Sequence, residues 1–288
     1  MSVLPQLIAN SLIAAGTYAL LAMGFNLIYG TTKFFNLAHG VMAAVGGYVV
    51  FWLTTSFAGM PIFAAAAIGV LGAGAIGAAL NRIVYRPLRA RKASNMVLLV
   101  ASLGAFTVIQ AVIAMIFTSQ FQTLNTAASE NVYQIAGASI TETQVIILGS
   151  AVVVWALLML FLKLSFFGKA VRAVSDDEEV AKIAGINTEK IMAWTFFIGS
   201  AIAGLAGVLI GFDTGIQPTM GLDLLLKGVI AAIVGGVGSV SGAILGAVLL
   251  GFVENFGIWK ISGEWKDAIA FGLLIIFLIF RPKGIINK

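Results

Sequence analysis

An all-α, polytopic membrane bundle is the fold class this sequence predicts, and three observations predict it. Hydrophobic residues make up 60% of the chain and charged residues 10%, against about 25% charge in a typical water-soluble domain. The mean hydropathy is +1.04. The apolar residues also fall into runs of about twenty, the length a helix needs to cross a hydrocarbon core of about 30 Å. These runs are continuous, as in Val145–Leu162 and Ala268–Phe280, whereas barrel strands alternate apolar and polar residues. A helix satisfies its own backbone groups in lipid.

The elements follow in order. Leu7–Ile28 opens the series. Nothing basic precedes it and it is long enough to span, so a cleaved signal peptide is not expected. Leu37–Trp52 is short and follows a polar, Gly-containing break, Gly30–Asn36. Ile62–Leu80, Met96–Phe117, Val145–Leu162 and Ile191–Phe212 are longer. Leu222–Val234 and Gly242–Val253 are short and flank a second break, Gly235–Ser241. Ala268–Phe280 closes the series. We expect eight or nine crossings, with the short pieces as broken or re-entrant segments. No linker divides the chain, so residues 1–288 read as one membrane domain.

Lys and Arg in short loops set the orientation. Asn81–Asn95 carries Arg82, Arg86, Arg89, Arg91 and Lys92, and is expected in the cytoplasm. Thr118–Thr143 has no Lys or Arg but has Glu130 and Glu142, and is expected outside. Lys163–Lys190 and the tail from Arg281 are basic and read as inside. The N-terminus lies outside if Leu37–Trp52 crosses fully and inside if it is re-entrant. Tyr85, Trp52, Trp155 and Trp194 read as interface residues. The net charge of +5 reports those loops, and nucleic acid is not an expected partner.

The two breaks form an internal repeat: an apolar run, a Gly-bearing break, then a small-residue helix. Paired broken segments often mark a substrate path. On that reading Phe35, Asn36, His39 and Gly40 border the path in the first copy. Gly235, Gly236, Gly238, Ser239, Ser241 and Gly242 border it in the second. The competing reading is tight helix contacts joined by short turns, with Asn36 as a helix N-cap and His39 bonded to a backbone carbonyl. Glycines number 33. Gly238, Gly242 and Gly246 are spaced to share one helix face, as are Gly207 and Gly211, with Ala203 one turn earlier. Such faces let helices meet at backbone distance.

Chemistry-bearing residues are scarce. His39, Asp213, Asp223, Lys227 and Glu254 sit near run ends or breaks. Ion-driven pumps carry acidic relays at mid-depth, so a proton- or sodium-coupled transporter is disfavoured. One His and no Cys leave no metal cluster. The phosphate-loop pattern of nucleotide-binding proteins does not occur. No nucleophile and base are paired, so an enzyme is not expected. The informative polar segment is Gly168–Asn187. Ser175 with Glu178 reads as a capping box, and Gly185 as a left-handed stop. They bound a short helix, Asp176–Ala184, whose Val180, Ala181 and Ile183 suit docking into a partner's groove.

Three motifs carry a family resemblance. Phe35-Asn-Leu-Ala-His-Gly40, the segment from Gly168-Lys-Ala-Val-Arg172 to Ala-Gly185-Ile-Asn187, and Gly235-Gly-Val-Gly-Ser-Val-Ser241-Gly-Ala-Ile-Leu-Gly246 resemble the permease subunits of branched-chain amino-acid ABC importers. The resemblance spans essentially the whole chain. It implies a multi-pass protein of the cell inner membrane. Its partners would be two ATPase subunits, a second related permease and a soluble substrate-binding protein. ATP and Mg would sit on the ATPases, with no cofactor in this chain. The loop at about 163–190, with Gly168, Arg172, Ser175, Glu178, Val180, Ala181, Ile183 and Gly185, would contact the ATPases. The permease superfamily also serves urea, short amides, sugars and nucleosides. A self-contained secondary transporter or small-solute channel is the alternative.

Overall fold

A computed structural model describes residues 3–57, 59–124 and 131–286. Glu130 lies outside the described residues. The helices are α1 (Val3–Thr32), α2 (Ala38–Ser56), α3 (Ile62–Leu80), α4 (Arg86–Ala90), α5 (Asn95–Phe117), α6 (Glu142–Leu164), α7 (Phe166–Asp176), α8 (Glu178–Ile183), α9 (Thr188–Asp213), α10 (Met220–Gly235), α11 (Val240–Gly257) and α12 (Lys266–Phe280). Seven segments are long and apolar enough to cross a membrane: α1, α2, α3 with its continuation to Ala90, α5, α6, α9 and α11. The remaining apolar helices, α10 and α12, have 16 and 15 residues.

The connections sort into two groups at opposite ends of the bundle. Gln6, near the start of α1, exchanges hydrogen bonds with the backbone of Ser139 in the α5–α6 connection. Gln122 of that connection pairs with Ile216 between α9 and α10. At the other end, Asn95 donates to the Lys33 carbonyl, Arg89 pairs with Glu189, and the segment after α12 bonds the end of α10. Following the chain between these ends gives nine passes along the bundle among the described residues, seven of them long and apolar enough to cross a membrane. The N-terminus therefore lies with the hairpin end, as expected if the second run crosses fully. Both breaks are turns between crossing helices, and they shrink to residues 33–37 and 236–239.

The outer loop holds a β-hairpin that the sequence did not signal. β1 (Val132–Ile135) pairs antiparallel with β2 (Ala138–Thr141). Its two-residue turn has positive φ at Ala136 and Gly137, the twist that suits a tight hairpin. The interface reading of the aromatics is corrected in part. Trp52 and Trp194 face outward near helix ends, but Trp155 lies midway along α6 and Tyr85 is buried.

Glycine contacts hold the centre. α9 packs on α1, α2 and α3, and α1 packs on α10 and α11. A Cβ at Gly199 of α9 would lie 2.7 Å from the Gly24 carbonyl oxygen, and one at Gly24 would lie 2.6 Å from that of Gly199. Real side chains do not fit there. The same closeness joins Gly46 to Gly204, Gly207 to Ala43, Gly40 to Gly221, Gly235 to Gly242 and Gly246 to Ala231. The proposed three-glycine face is corrected: Gly238 lies in the turn before α11, at φ +82. Gly211 packs against Leu124 and Ile216 of the outer connections, not against a membrane helix.

A charge network joins α1, α10, α11 and α12. Lys227 sits in mid-α10, not at a run end. Its Nζ lies 2.5 Å from Glu254 Oε1 on α11 and 2.7 Å from Asp267 on α12. Tyr18 donates to the other Glu254 oxygen at 2.6 Å, and Lys266 stands 3.8 Å from it. The Glu254 side chain is 0% exposed and that of Lys227 11%. Buried charges persist only when paired and bonded. Beneath α10, the amides of Ile285 and Ile286 donate to the carbonyls of Val234 and Gly235 at 2.9 and 3.0 Å. These are end-of-helix carbonyls that lack intrahelical partners.

Three measurements test this fold. With Lys and Arg placed inside, a cysteine at Tyr133 should label from outside and one at Arg91 only from the cytoplasm. Labelling both from one side would contradict the topology. Gly242→Leu should disrupt the α10–α11 contact, at about 1–3 kcal/mol or more, in thermal unfolding of the detergent-solubilised protein. Gly104, where an added Cβ meets nothing within 4 Å, should accept leucine without loss. Lys227→Met should cost about 3–5 kcal/mol by stranding Glu254, and adding Glu254→Gln should restore much of it.

Candidate functional site

The second break is built from short backbone and one asparagine. Ser239 caps α11, its hydroxyl accepting from the Gly242 amide at 3.1 Å. Gly236 and Gly238 take positive φ, which glycine reaches without steric cost. Asn26 of α1 then clamps the turn. Its Nδ2 donates to the carbonyls of Gly236 and Ser239 at 3.2 and 2.8 Å, and its Oδ1 accepts from the Gly238 amide at 3.0 Å. One buried amide group thus satisfies three backbone groups of a turn that interrupts two membrane helices. Sequence reading missed Asn26. The signal available was an amide deep in the second, otherwise apolar half of the run Leu7–Ile28.

A cleft of about 220 Å³ opens beside this turn. Asn26, Gly238, Ser239 and Ser241 line it with Arg172 and Ser175 of α7. The structure therefore brings three expected path residues together with two expected coupling residues.

The first break meets another face of α1. Phe35 packs on Phe25 and Tyr29, with ring centroids 5.5 and 5.1 Å apart. Phe25 and Asn26 are neighbours in sequence, so α1 touches both breaks from adjacent positions. Asn36 is not an N-cap. Leu37 occupies that position without a side-chain bond, and Asn36 Oδ1 accepts from the Tyr85 hydroxyl at 2.9 Å. His39 is buried, and its Nε2–H donates to the Leu21 carbonyl at 3.2 Å. That bond fixes the tautomer, leaving Nδ1 bare and without a partner among the described residues. Gly40 is pressed against Gly221 and Leu225 of α10. None of these four residues lines the cleft at Asn26.

The coupling segment needs two corrections. It is a pair of helices, α7 and α8, rather than one helix at Asp176–Ala184. Ser175 lies in the last turn of α7. Asp177 is the N-cap of α8, accepting from the amides of Glu179 and Val180 at 2.8 and 3.0 Å. An aspartate directly before two glutamates outcompetes serine because its charge also favours the helix dipole. The end is as expected: Gly185 has φ +84, and the Ile186 amide bonds the Ala181 carbonyl at 3.0 Å, a Schellman closure.

The docking face is also redrawn. Ala181 is 2% exposed and packs into the core of this same chain, whereas Val180 and Ile183 are 60% and 87% exposed. At the other end, Gly168 is pressed on the Leu162 backbone and Arg172 donates to the Leu162 carbonyl. Those two residues fold α7 back under α6. Glu178 holds Lys182 at 2.5 Å and accepts from Thr188 of α9 at 3.4 Å.

Comparison with known proteins places this arrangement. The chain is 35% identical to the high-affinity branched-chain amino acid transport system permease protein BraD of Pseudomonas aeruginosa, covering 98% of this chain and 95% of that one. It is 33% identical to the corresponding LivH of Escherichia coli, with the same coverage, and 25% identical to the ribose import permease RbsC of Haemophilus influenzae, over 100% and 86%. The solved structure of PsaBC from Streptococcus pneumoniae in complex with Fab shares the fold, at a TM-score of 0.52 and 16% identity over 95% and 91% of the two chains. A family model described as "Branched-chain amino acid transport system / permease component" matches residues 7–278, and with glycine-packed crossings, two clamped breaks and a helix pair at the basic end, the chain belongs to that permease family.

Proposed function

We propose that this chain is the membrane-spanning permease of an ABC importer that carries branched-chain amino acids inward across the cell inner membrane. Two ATPase subunits, holding ATP and Mg, bind at α7 and α8. A second, related permease completes the pore, and a soluble binding protein delivers substrate and sets much of the selectivity. The observation that carries the reading is the α7–α8 pair. It exposes Val180 and Ile183 at the basic end while Arg172 and Ser175 of the same pair line the cleft at Asn26. A partner pushing on α8 therefore works one step from the second break.

Translocation would proceed by alternating access, with the helices rocking on their glycine contacts. Gly235, Gly236, Gly238, Ser239, Ser241 and Gly242 would border the exit side of the path. Phe35, Asn36, His39 and Gly40 would shape it from across α1, holding α2 in place rather than touching the solute. A secondary transporter or channel requires no ATPase, which gives the discriminating test.

Ile183→Glu puts a charge on a side chain that is 87% exposed, so insertion and thermal stability should be unchanged. In a close protein contact an unpaired charge costs about 2–5 kcal/mol. The variant should lose co-purifying ATPase and ATP-dependent uptake together. Unchanged ATPase recovery and uptake would sink the proposal. Ala181→Arg is the wrong variant, since it should unsettle the permease core instead.

A further inference from the structure

Polar contacts, joined twice through the backbone, lead from α8 to the first break, and their members lie outside the cleft described above. Glu178 on α8 accepts from Thr188. The next residue, Glu189, receives Arg89 at 3.1 Å and Arg86 at 3.6 Å. The same Arg89 nitrogen donates to Asn81 Oδ1 at 3.0 Å. Asn81 opens a five-residue π-helical turn, Asn81–Tyr85, and Tyr85 at its far end donates to Asn36 in the first break.

The π turn has a sequence cause. Pro87 lacks the amide that an α-helix would bond to Ile83, and its ring crowds that carbonyl. The helix widens instead, with the Arg86 amide bonding the Asn81 carbonyl. Asn81 and Tyr85, at the two ends of this turn, are both buried. Tyr85 is then wedged between Phe34 and Phe196, with centroids 5.1 and 5.4 Å away. Single π turns inside α-helices are frequent at functional sites.

Arg89 is under-used in this state. Its Nε and Nη1 are buried without a hydrogen-bond partner among the described residues. They belong to a side chain lining a polar cleft of about 310 Å³ that Glu178, Lys182 and Glu189 also line. The guanidinium has five donors in a fixed fork, so it has donors to offer Glu178 should α8 shift toward it, while still holding Glu189.

We propose that Arg89 is a positioning residue for transport, relaying movement of α8 through Asn81 and Tyr85 to the break at Asn36. The proposal rests on α7 and α8 being the ATPase contact. Arg89 touches neither partner nor solute. It converts a displacement at the cytoplasmic surface into a displacement of the α1–α2 turn. The second break, clamped by Asn26, answers to α7 directly, so the two breaks move in concert.

The test separates coupling from docking. Arg89→Lys keeps the charge but loses the fork, and Tyr85→Phe removes a single hydroxyl. Each is assayed in the full complex in proteoliposomes, reading ATPase recovery, ATP hydrolysis and uptake per ATP hydrolysed. Both variants should recover ATPase subunits fully and hydrolyse ATP normally, with uptake per ATP down about tenfold, within the usual range of coupling between sites. The double variant should be no worse than either single, because the two groups act in series. Unchanged uptake per ATP, or losses that multiply in the double variant, would overturn the relay. Lost ATPase recovery would also overturn it, making Arg89 part of the docking surface. Failure of the ATPase reading itself is distinct: Ile183→Glu would then leave ATPase recovery and uptake unchanged.

Discussion

Backbone against backbone is the constraint on which this structure depends. Lipid tails are as apolar as leucine, so burial alone gives membrane helices little reason to associate. Contact must come from close packing, and close packing needs small residues at the crossings. α1, α2 and α9 meet through glycine at Gly24–Gly199, Gly46–Gly204 and Gly207–Ala43. Those crossings fix where α1 runs. α1 in turn touches both breaks, Phe25 packing on one and Asn26 bonding the other. The positions of both turns thus depend first on crossings where backbone meets backbone.

Polar groups are then used sparingly, each where a helix must stop or be tied. Asn26 satisfies the backbone of one turn, and Asn36 with Tyr85 secures the other. Lys227, Glu254 and Asp267 tie three helices together, with Tyr18 completing the carboxylate's bonds. At the basic end, Asp177 starts α8 and Gly185 ends it, so a six-residue helix can stand with Val180 and Ile183 uncovered. Both breaks and α8 thus lie at the basic end of a chain of the permease family.

What the sequence made legible was what composition and periodicity control. Continuous apolar runs gave the crossings, arginine-rich loops gave the two ends, and Gly-bearing breaks marked both turns. Gly185 was readable because only a left-handed residue closes that helix. Side-chain pairing across elements was not readable. Nothing local says that Tyr85 reaches Asn36, that Asn26 clamps a turn near position 238, or that Ala181 faces in while Ile183 faces out. The serine cap failed because Asp177, two residues on, starts the helix itself, accepting from the amides of Glu179 and Val180 with a full charge. The mid-helix lysine was misplaced because its partner, Glu254, lies on a different helix. The hairpin at Val132–Thr141 escaped notice because its four-residue strands are too short to show alternation.

The bonds from Ile285 and Ile286 to the end of α10 carry a consequence for how the chain is made. A ribosome feeds a membrane protein to the insertion machinery from its N-terminus. When α10 enters the bilayer, the residues that will cover its last carbonyls are still two helices away from being translated. Until α12 has followed, the α10–α11 turn has Asn26 and the Ser239 cap to hold it, and the last carbonyls of α10 lack the amides of Ile285 and Ile286. The permease thus acquires its clamp early and its seal late, so a truncated or stalled product keeps its crossings but leaves the second break unclosed.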